Sequence, residues 1–192
     1  MFPLRNVPSN LMCPHCHQFI RPLDLAARFE WYTARLLGGE LAEERQQGFD
    51  VQNSQLIPDV TFQVKCAKAR KGQIVAREID GRECVFDESP HWTWQEHRTG
   101  RADIYFLYGI IQGKVFPFIV DRFIWLDEAY DNGRGGKSLR ISTDQYSKCG
   151  RYMASRKLNK FWQYYVRSWP QGLFDVCKYY AQRVPLVQGD LI

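Results

Sequence analysis

The run DIYFLYGIIQGKVFPFIV, residues 103–120, contains two apolar stretches separated by Gln112-Gly113. A glycine-containing dipeptide between two runs rich in β-branched and aromatic residues is typical of a β-hairpin. Because both stretches are almost wholly apolar, we expect them to be buried strands near the centre of a sheet. Pro117 weakens this prediction for part of the second strand, since proline cannot donate a hydrogen bond to a neighbouring strand.

A helix is predicted before the hairpin, at about residues 24–37. In the run LDLAARFEWYTARLL apolar side chains recur at helical spacing, and Asp24 is placed to cap the first turn. The apolar residues that fall near one face are Leu25, Phe29, Tyr32 and Leu36. We expect Gly38-Gly39 to end this helix, and GELAEERQQ to add a short helical stretch that ends at Gly48.

The C-terminal part, about 140–183, is predicted to be helical, basic and aromatic. Ser142 or Thr143 is placed to cap a helix, LNKFWQYYVRSW (158–169) has helical spacing up to Pro170, and 172–183 is amphipathic. DNGRGGKS (131–138) is expected to be a flexible glycine-rich loop. The order helix, strands, hairpin, helices predicts one α/β or α+β domain with a mixed central sheet flanked by helices.

Residues 59–65, DVTFQVK, alternate between polar and apolar side chains, which predicts a strand with one polar face. Gln63 and Lys65 would then lie side by side, about 7 Å apart along the strand. An oxygen ligand beside an ammonium group suits a site for a metal ion and a phosphate. An ordinary half-exposed strand shows the same alternation, so the chemistry depends on what surrounds it.

These residues resemble the PD-(D/E)XK nuclease superfamily, in the subset where glutamine replaces the acid of the last motif. The matching residues are Pro58-Asp59, then Gln63-Val64-Lys65, followed by the small and basic residues Cys66-Ala67-Lys68. The later runs at 101–107 and 115–120 are similar to the later core strands of such nucleases. The resemblance covers about residues 24–126, and it implies a restriction-endonuclease-like fold and hydrolysis of DNA phosphodiesters.

The resemblance leaves the acidic ligand open between two residues. In the family the aspartate normally lies on the strand before the Gln or Glu, with a turn between them. Asp59 is only four residues before Gln63, whereas Asp50 in GFDV is thirteen residues before it. The spacing favours Asp50, and the Pro-Asp dipeptide and a shared strand face favour Asp59. An upstream acid on the first helix is a further ligand in many members, and Glu30 or Glu40 is placed for that role.

The resemblance implies a mechanism in which Mg²⁺ or Mn²⁺ is bound by Asp59 or Asp50, the Gln63 side-chain oxygen and the Val64 carbonyl. Lys65 would orient or deprotonate the attacking water, or stabilise the charged phosphate. Cutting both strands of a duplex requires two active sites, so a homodimer is expected for a double-stranded target. Restriction, homing, phage and mobile-element nucleases all belong to this class.

The net charge of +5 is concentrated after residue 64. Basic clusters of this kind neutralise phosphates and release counterions, which favours DNA as the partner, although a solvated basic face is the simpler alternative. The residues expected to contact DNA are Lys68, Arg70, Lys71, Arg134, Lys137, Arg151, Arg156, Lys157 and Lys160.

Histidines and tryptophans cluster at His91, Trp92, Trp94 and His97, in a stretch expected to be a loop. These side chains would either stack on DNA bases or pack beneath the loop, and packing is the expectation we favour.

CPHCH (13–17) has the spacing of half a zinc site. We expect residues 1–22 to form an irregular N-terminal knuckle ahead of a nuclease-like domain at 23–192. Cys13, Cys16 and His17 would bind a structural Zn²⁺, or the two cysteines would stay reduced and unliganded. The remaining ligands of a complete site are not evident from the sequence.

The 192-residue chain is 45% hydrophobic and 15% aromatic, which excludes a disordered chain. No segment is long and apolar enough to span a membrane, and the N-terminus lacks the pattern of a secretory signal, so a cytoplasmic protein is expected. Two alternatives to a nuclease stay open: a non-catalytic DNA-binding module with a zinc knuckle, and a metabolic enzyme acting on a small acidic substrate.

Overall fold

The computed structural model describes residues 1–12, 19–42, 48–71, 74–79, 82–87, 90–96, 102–133, 135–143 and 161–167, together with Gly172 and Asp175. Its strands are β1 (Phe2–Pro3), β2 (Asn10–Met12), β3 (Phe19–Pro22), β4 (Glu40–Leu41), β5 (Val51–Gln52), β6 (Phe62–Lys68), β7 (Ile74–Ile79), β8 (Arg82–Asp87), β9 (His91–Glu96), β10 (Ile104–Ile111), β11 (Lys114–Asp121), β12 (Tyr130–Asp131) and β13 (Lys137–Ser142). Its helices are α1 (Leu25–Leu37) and α2 (Arg122–Glu128), with 3-10 turns at Leu4–Asn6 and Phe161–Tyr164.

The six-stranded sheet has the order β1-β11-β10-β6-β5-β4. β10 pairs antiparallel with β11 on one side and parallel with β6 on the other, so the expected mixed central sheet is confirmed. The predicted hairpin is also confirmed. Gln112 and Gly113 both have positive φ, at 49° and 70°, as a two-residue turn between twisted strands requires.

Pro117 fits within β11 because its backbone faces away from β10. Its carbonyl oxygen accepts a hydrogen bond from Val166 N at 2.9 Å, on the side opposite β10. The N and O atoms of one strand residue point to the same side, so a backbone N–H at residue 117 would also point away from β10. The pairing of β10 with β11 therefore loses no hydrogen bond at this proline.

α1 covers one face of this sheet, as expected. The Asp24 side chain accepts from Ala27 N, and Gly38 ends the helix in the left-handed conformation at φ 57°. Phe29, Ala34 and Leu37 are buried against the β6 and β10 side chains that point to this face. The fold therefore belongs to the mixed α and β class, and its main sheet contains both parallel and antiparallel strands.

The opposite face is covered by a second sheet of order β12-β13-β9, with α2 and the Phe161–Tyr164 turn beside it. Trp92 and Trp94 of β9 are almost completely buried there. Their indole N–H groups donate to Ile110 O and Tyr108 O at 3.1 and 3.2 Å. Among the described residues a sheet forms most of this layer, with α2 as the helix on this face.

Several local predictions are wrong. Glu40–Leu41 is a strand, because it pairs with β5 directly after the Gly38 helix end. Ser142 is the last residue of β13, and the helix predicted after it lies outside the described residues. Residues 161–167, predicted to be helical, form a 3-10 turn followed by a bridge between Phe118 and Tyr165. In this last segment Tyr165 N donates to Trp162 O within the 3-10 turn, and Val166 N donates to Pro117 O of β11, whereas in an α-helix it would donate within the segment.

The described N-terminal residues and the stretch His91–Glu96 are more regular than expected. β2 and β3 form an antiparallel pair, and β1 joins the edge of the main sheet. β7 and β8 form a separate antiparallel pair, and β9 is a strand with one buried face where a loop was predicted. Neither helix of the described residues has the length and hydrophobicity that crossing a membrane requires.

Gly109 of β10 lies directly under Trp92, and this close approach predicts the cost of a substitution. A Cβ at residue 109 would lie 2.6 Å from two carbons of the Trp92 ring. We expect Gly109→Ala to lower the free energy of unfolding by about 1–3 kcal/mol through overpacking, measured by urea denaturation. The same substitution in a Trp92→Phe background should cost less, whereas an equal loss in both backgrounds would show that the clash is not the cause.

Candidate active site

Asp50 lies at the open edge of β6, immediately before the short strand β5. Its backbone N–H donates to Phe62 O at 2.8 Å, so its position beside β6 is fixed. Its Oδ2 atom then accepts from Val64 N at 2.7 Å and from the side-chain amide of Gln63. The Asp50 carboxylate therefore accepts the hydrogen bond from Val64 N that a backbone carbonyl would accept if β5 extended further along β6.

The backbone carbonyl of Val64 faces the same edge as Asp50. In an extended strand the N–H and C=O of one residue point to the same side, and the Val64 N–H points at the Asp50 carboxylate. This edge thus carries the Asp50 carboxylate, the Gln63 amide and the Val64 backbone.

Gln63 and Lys65 lie on one face of β6, as the alternation predicted. They point away from α1, whereas Phe62 and Val64 pack toward it. Gln63 is buried and Lys65 is half-buried. In the parallel ladder Gln63 lies beside Tyr105 of β10, so this face is directed toward α2 and the second sheet.

Glu30 of α1 approaches the same edge from the other side of the sheet. Its half-buried carboxyl has a pKa raised to about 7, chiefly by burial and then by the charges of Asp50 and Asp24. The positive charge of Lys65 opposes this rise. The first helix and β6 thus bring Glu30, Asp50 and Lys65 into one electrostatic group.

Glu96 of β9 belongs to this group and was not among the predicted residues. It is 4% exposed, and its carboxylate accepts from Trp125 Nε1 at 2.8 Å and from the Tyr105 hydroxyl at 3.2 Å. The alternation in HWTWQE places Glu96 on the same face as Trp92 and Trp94, and this was the signal that would have identified it.

In the part of the chain that the structure describes, the group carries the three carboxylates of Glu30, Asp50 and Glu96 and the one ammonium of Lys65. Burial raises the pKa of Asp50 and of Glu96, and the Lys65 charge lowers both. Among the described residues, no three His, Cys, Asp or Glu side chains are arranged to hold a metal ion by themselves. A cation at this edge would need the oxygen atoms of Gln63 and Val64 in addition to the Asp50 carboxylate.

Asp59 and Glu40 lie apart from the site. Asp59 is exposed in a turn with φ 65°, and β6 begins only at Phe62, so the expectation that Asp59 shares the strand face with Gln63 is wrong. Glu40 is exposed in β4, where its carboxylate accepts from Asn53 at 2.9 Å. The structure therefore brings Asp50, and not Asp59, into contact with Gln63. Of the two glutamates, Glu30 is the one whose pKa responds to the charges of Asp50 and Lys65.

Three of the basic residues predicted to bind DNA are exposed just beyond the site, namely Lys68, Arg70 and Lys71. Lys137 instead lies 3.7 Å from the Asp131 carboxylate and donates to Ala129 O. It begins β13, so it belongs to a strand and not to the predicted loop. Arg134, Arg151, Arg156, Lys157 and Lys160 lie outside the described residues, and so do Cys13, Cys16 and His17, for which zinc binding stays a prediction.

The predicted aromatic cluster is part of the core. Trp92 and Trp94 pack against Phe118 with ring centroids 5.9 Å apart in each case, which confirms packing for these two side chains. His91 contacts Arg140 through its Nδ1 atom at 3.1 Å, and His97 lies outside the described residues.

The raised pKa of Glu30 predicts a pH-dependent stability. A carboxyl with a pKa of about 7 in the folded chain, against 4.5 ordinarily, binds its proton more tightly when folded. The folded state therefore loses stability as the pH rises from 4.5 to 7. We expect Glu30→Gln to raise Tm by a few degrees at pH 8 in EDTA and to have little effect near pH 4.5, measured by calorimetry. A Glu40→Gln control should show no such trend. If the difference in Tm between Glu30→Gln and the wild type stayed constant across this pH range, the raised pKa of Glu30 would be contradicted.

No protein-family model matches the chain, and a search of curated proteins found no relative for it.

Proposed function

We propose that this protein is a metal-dependent DNA endonuclease with a restriction-endonuclease-like core of the PD-(D/E)XK type. The observation that carries the proposal is the contact of the Asp50 carboxylate with Gln63 and Val64 at the open edge of β6. The resemblance leads one to expect three features. Asp50 is the acid before one strand, Gln63 and Lys65 lie two residues apart on its antiparallel neighbour, and Glu30 is the glutamate on the preceding helix.

The oxygen atoms at this edge fit Mg²⁺ or Mn²⁺. Carboxylate, amide and backbone carbonyl oxygens are the ligands that these hard cations prefer. Asp50, Gln63 and the Val64 carbonyl would hold the ion, and rotation of the Gln63 amide about its last torsion presents the oxygen in place of the nitrogen. When bound, such an ion neutralises charge on the phosphate and lowers the pKa of a coordinated water.

The side chains around this edge have complementary roles. Lys65, half-buried on the same face as Gln63, would place its ammonium against the scissile phosphate, where negative charge develops. Glu30, whose pKa of about 7 lies near neutral pH, would accept a proton from the attacking water at its carboxylate oxygen. These assignments choose between the roles of Lys65 that the sequence left open.

The exposed basic residues after β6 would hold the DNA backbone. Lys68 lies three residues beyond Lys65, about 10 Å further along the strand. Arg70 and Lys71 follow it, both exposed. Contacts from such side chains to phosphates do not depend on base sequence, and they position the duplex without reading it. A second copy of the chain would supply the second active site that a double-strand break requires.

Cleavage of a supercoiled plasmid tests the proposal and distinguishes the two aspartates. We expect the wild type to cut with Mg²⁺ or Mn²⁺ and not with EDTA. Asp50→Asn and Lys65→Ala should each lower the rate by at least about 100-fold. The matched control Asp59→Asn changes an exposed carboxylate only nine residues away and should cut like the wild type. Metal-independent cutting, or a loss in Asp59→Asn with none in Asp50→Asn, would contradict the assignment.

Binding without cutting would favour the non-catalytic DNA-binding module. In that case Gln63→Ala and Lys65→Ala would leave DNA affinity intact, whereas Cys13→Ser and Cys16→Ser would destroy it. Absence of any salt-dependent DNA binding would favour the metabolic enzyme.

Removal of the basic residues after β6 should weaken DNA binding in a salt-dependent way. For the triple variant Lys68→Ala, Arg70→Ala, Lys71→Ala we expect the slope of log affinity against log salt to become shallower by about 0.9 for each phosphate that the variant no longer neutralises. Fluorescence anisotropy with a labelled duplex in EDTA measures this slope. Arg5→Ala, at an exposed site beside β1 on the opposite edge of the sheet, should leave it unchanged. An unchanged slope in the triple variant would show that these residues do not touch DNA.

A further inference from the structure

Glu96 is a buried carboxylate whose direct hydrogen bonds come from neutral donors. Trp125 Nε1 donates to one oxygen at 2.8 Å, and the Tyr105 hydroxyl donates to the other at 3.2 Å. The rings of these two donors stack with centroids 4.8 Å apart, so both are held firmly. A buried charge is costly unless an opposite charge is near, so an ionised carboxylate in this position requires a cation nearby.

The cation nearest to Glu96 in the strand ladder does not serve this purpose. Lys137 lies opposite Glu96 in the antiparallel pair of β13 and β9. Its ammonium is instead engaged by Asp131 and by Ala129 O. The cation that acts on the Glu96 carboxyl most strongly is Lys65, which lowers its pKa against the effect of burial.

The strand register places Lys65 on the side of the sheet that Glu96 faces. Tyr105, which holds Glu96, lies beside Gln63 in the parallel pair of β10 and β6. Lys65 is two residues beyond Gln63 and therefore points to the same face. Glu96 thus faces the Gln63 and Lys65 side of the sheet, whereas Glu30 reaches the site from α1 on the other side.

We propose that Glu96 is a positioning residue of this active site, which restrains the Lys65 ammonium on the face where it meets the scissile phosphate. Trp125 and Tyr105 fix the carboxylate, and its charge limits the conformations that the long lysine side chain adopts. Glu96 itself need touch neither metal nor DNA. The catalytic part of this inference rests on the proposed nuclease function, whereas the restraint of Lys65 by Glu96 does not.

The test compares Glu96→Gln with the matched control Glu40→Gln, in which the same chemical change falls on an exposed carboxylate away from the site. Glutamine keeps an acceptor for Trp125 and removes the charge. Because a buried charge is removed, we expect Glu96→Gln to melt at the wild-type temperature or above it. A change in activity would then not result from unfolding.

In single-turnover cleavage with Mg²⁺ we expect Glu96→Gln to lower the rate by about tenfold while duplex affinity in EDTA changes by less than about twofold. In a Lys65→Ala background the same substitution should have almost no further effect, since the group it positions is gone. Equal losses in both backgrounds, or a loss of affinity in place of rate, would overturn the proposal.

A second measurement is independent of nuclease activity. We would label lysines with an amine-reactive acylating reagent and quantify each site by mass spectrometry, with exposed Lys68 as the internal reference. In the wild type we expect Lys65 to react more slowly than Lys68, and in Glu96→Gln we expect its rate to rise several-fold while the Lys68 rate is unchanged. An unchanged Lys65 rate would overturn the restraint. If the rate rises but the wild type cuts no DNA, the nuclease proposal fails and the restraint of Lys65 stands.

Discussion

The hydrogen bond from Val64 N to the Asp50 carboxylate is the constraint on which the rest of the site depends. β5 pairs with β6 at a single position, Val51 with Phe62, so the edge of β6 beyond it has no backbone partner from β5. The Asp50 side chain supplies the hydrogen-bond acceptor that the backbone of further strand residues would have supplied. Because this side chain is a carboxylate, the edge gains a negative charge at a point where backbone carbonyl and amide groups are already directed outward.

This arrangement has a cost in stability that its function would explain. Burial raises the pKa values of Glu30, Asp50 and Glu96, and the Asp50 charge further opposes the ionisation of Glu30 and of Glu96. One half-buried lysine offsets part of the resulting repulsion. Side chains that lower stability in this way are retained at functional sites, where a cation or a charged substrate compensates for them.

The elements whose periodicity extends over a whole segment could be predicted from the sequence. The hairpin at Gln112-Gly113, the helix from Leu25 to Leu37 and the shared face of Gln63 and Lys65 all follow from local spacing and turn chemistry. The choice between Asp50 and Asp59 could not be made in this way. It depends on where β6 begins and on which strand lies beside it, and both follow from long-range pairing.

The second sheet was missed for a related reason. HWTWQE alternates over only six residues, so the segment was expected to be a loop with its tryptophans packed beneath it, and the strand itself was not predicted. Once β9 is recognised as a strand, Glu96 falls on the buried face with Trp92 and Trp94. A carboxylate on a buried strand face is unusual, because glutamate is seldom buried without a partner.

The most direct measurement of the central claim is a crystal structure with bound Mn²⁺ and a short duplex, in which anomalous scattering locates the ion. The account predicts an anomalous peak that contacts the Asp50 carboxylate and the Val64 carbonyl oxygen, with a DNA phosphate and the Lys65 ammonium beside it. A crystal saturated with Mn²⁺ and DNA in which this edge of β6 holds no ion, or in which the ion is bound by Asp59, would contradict it.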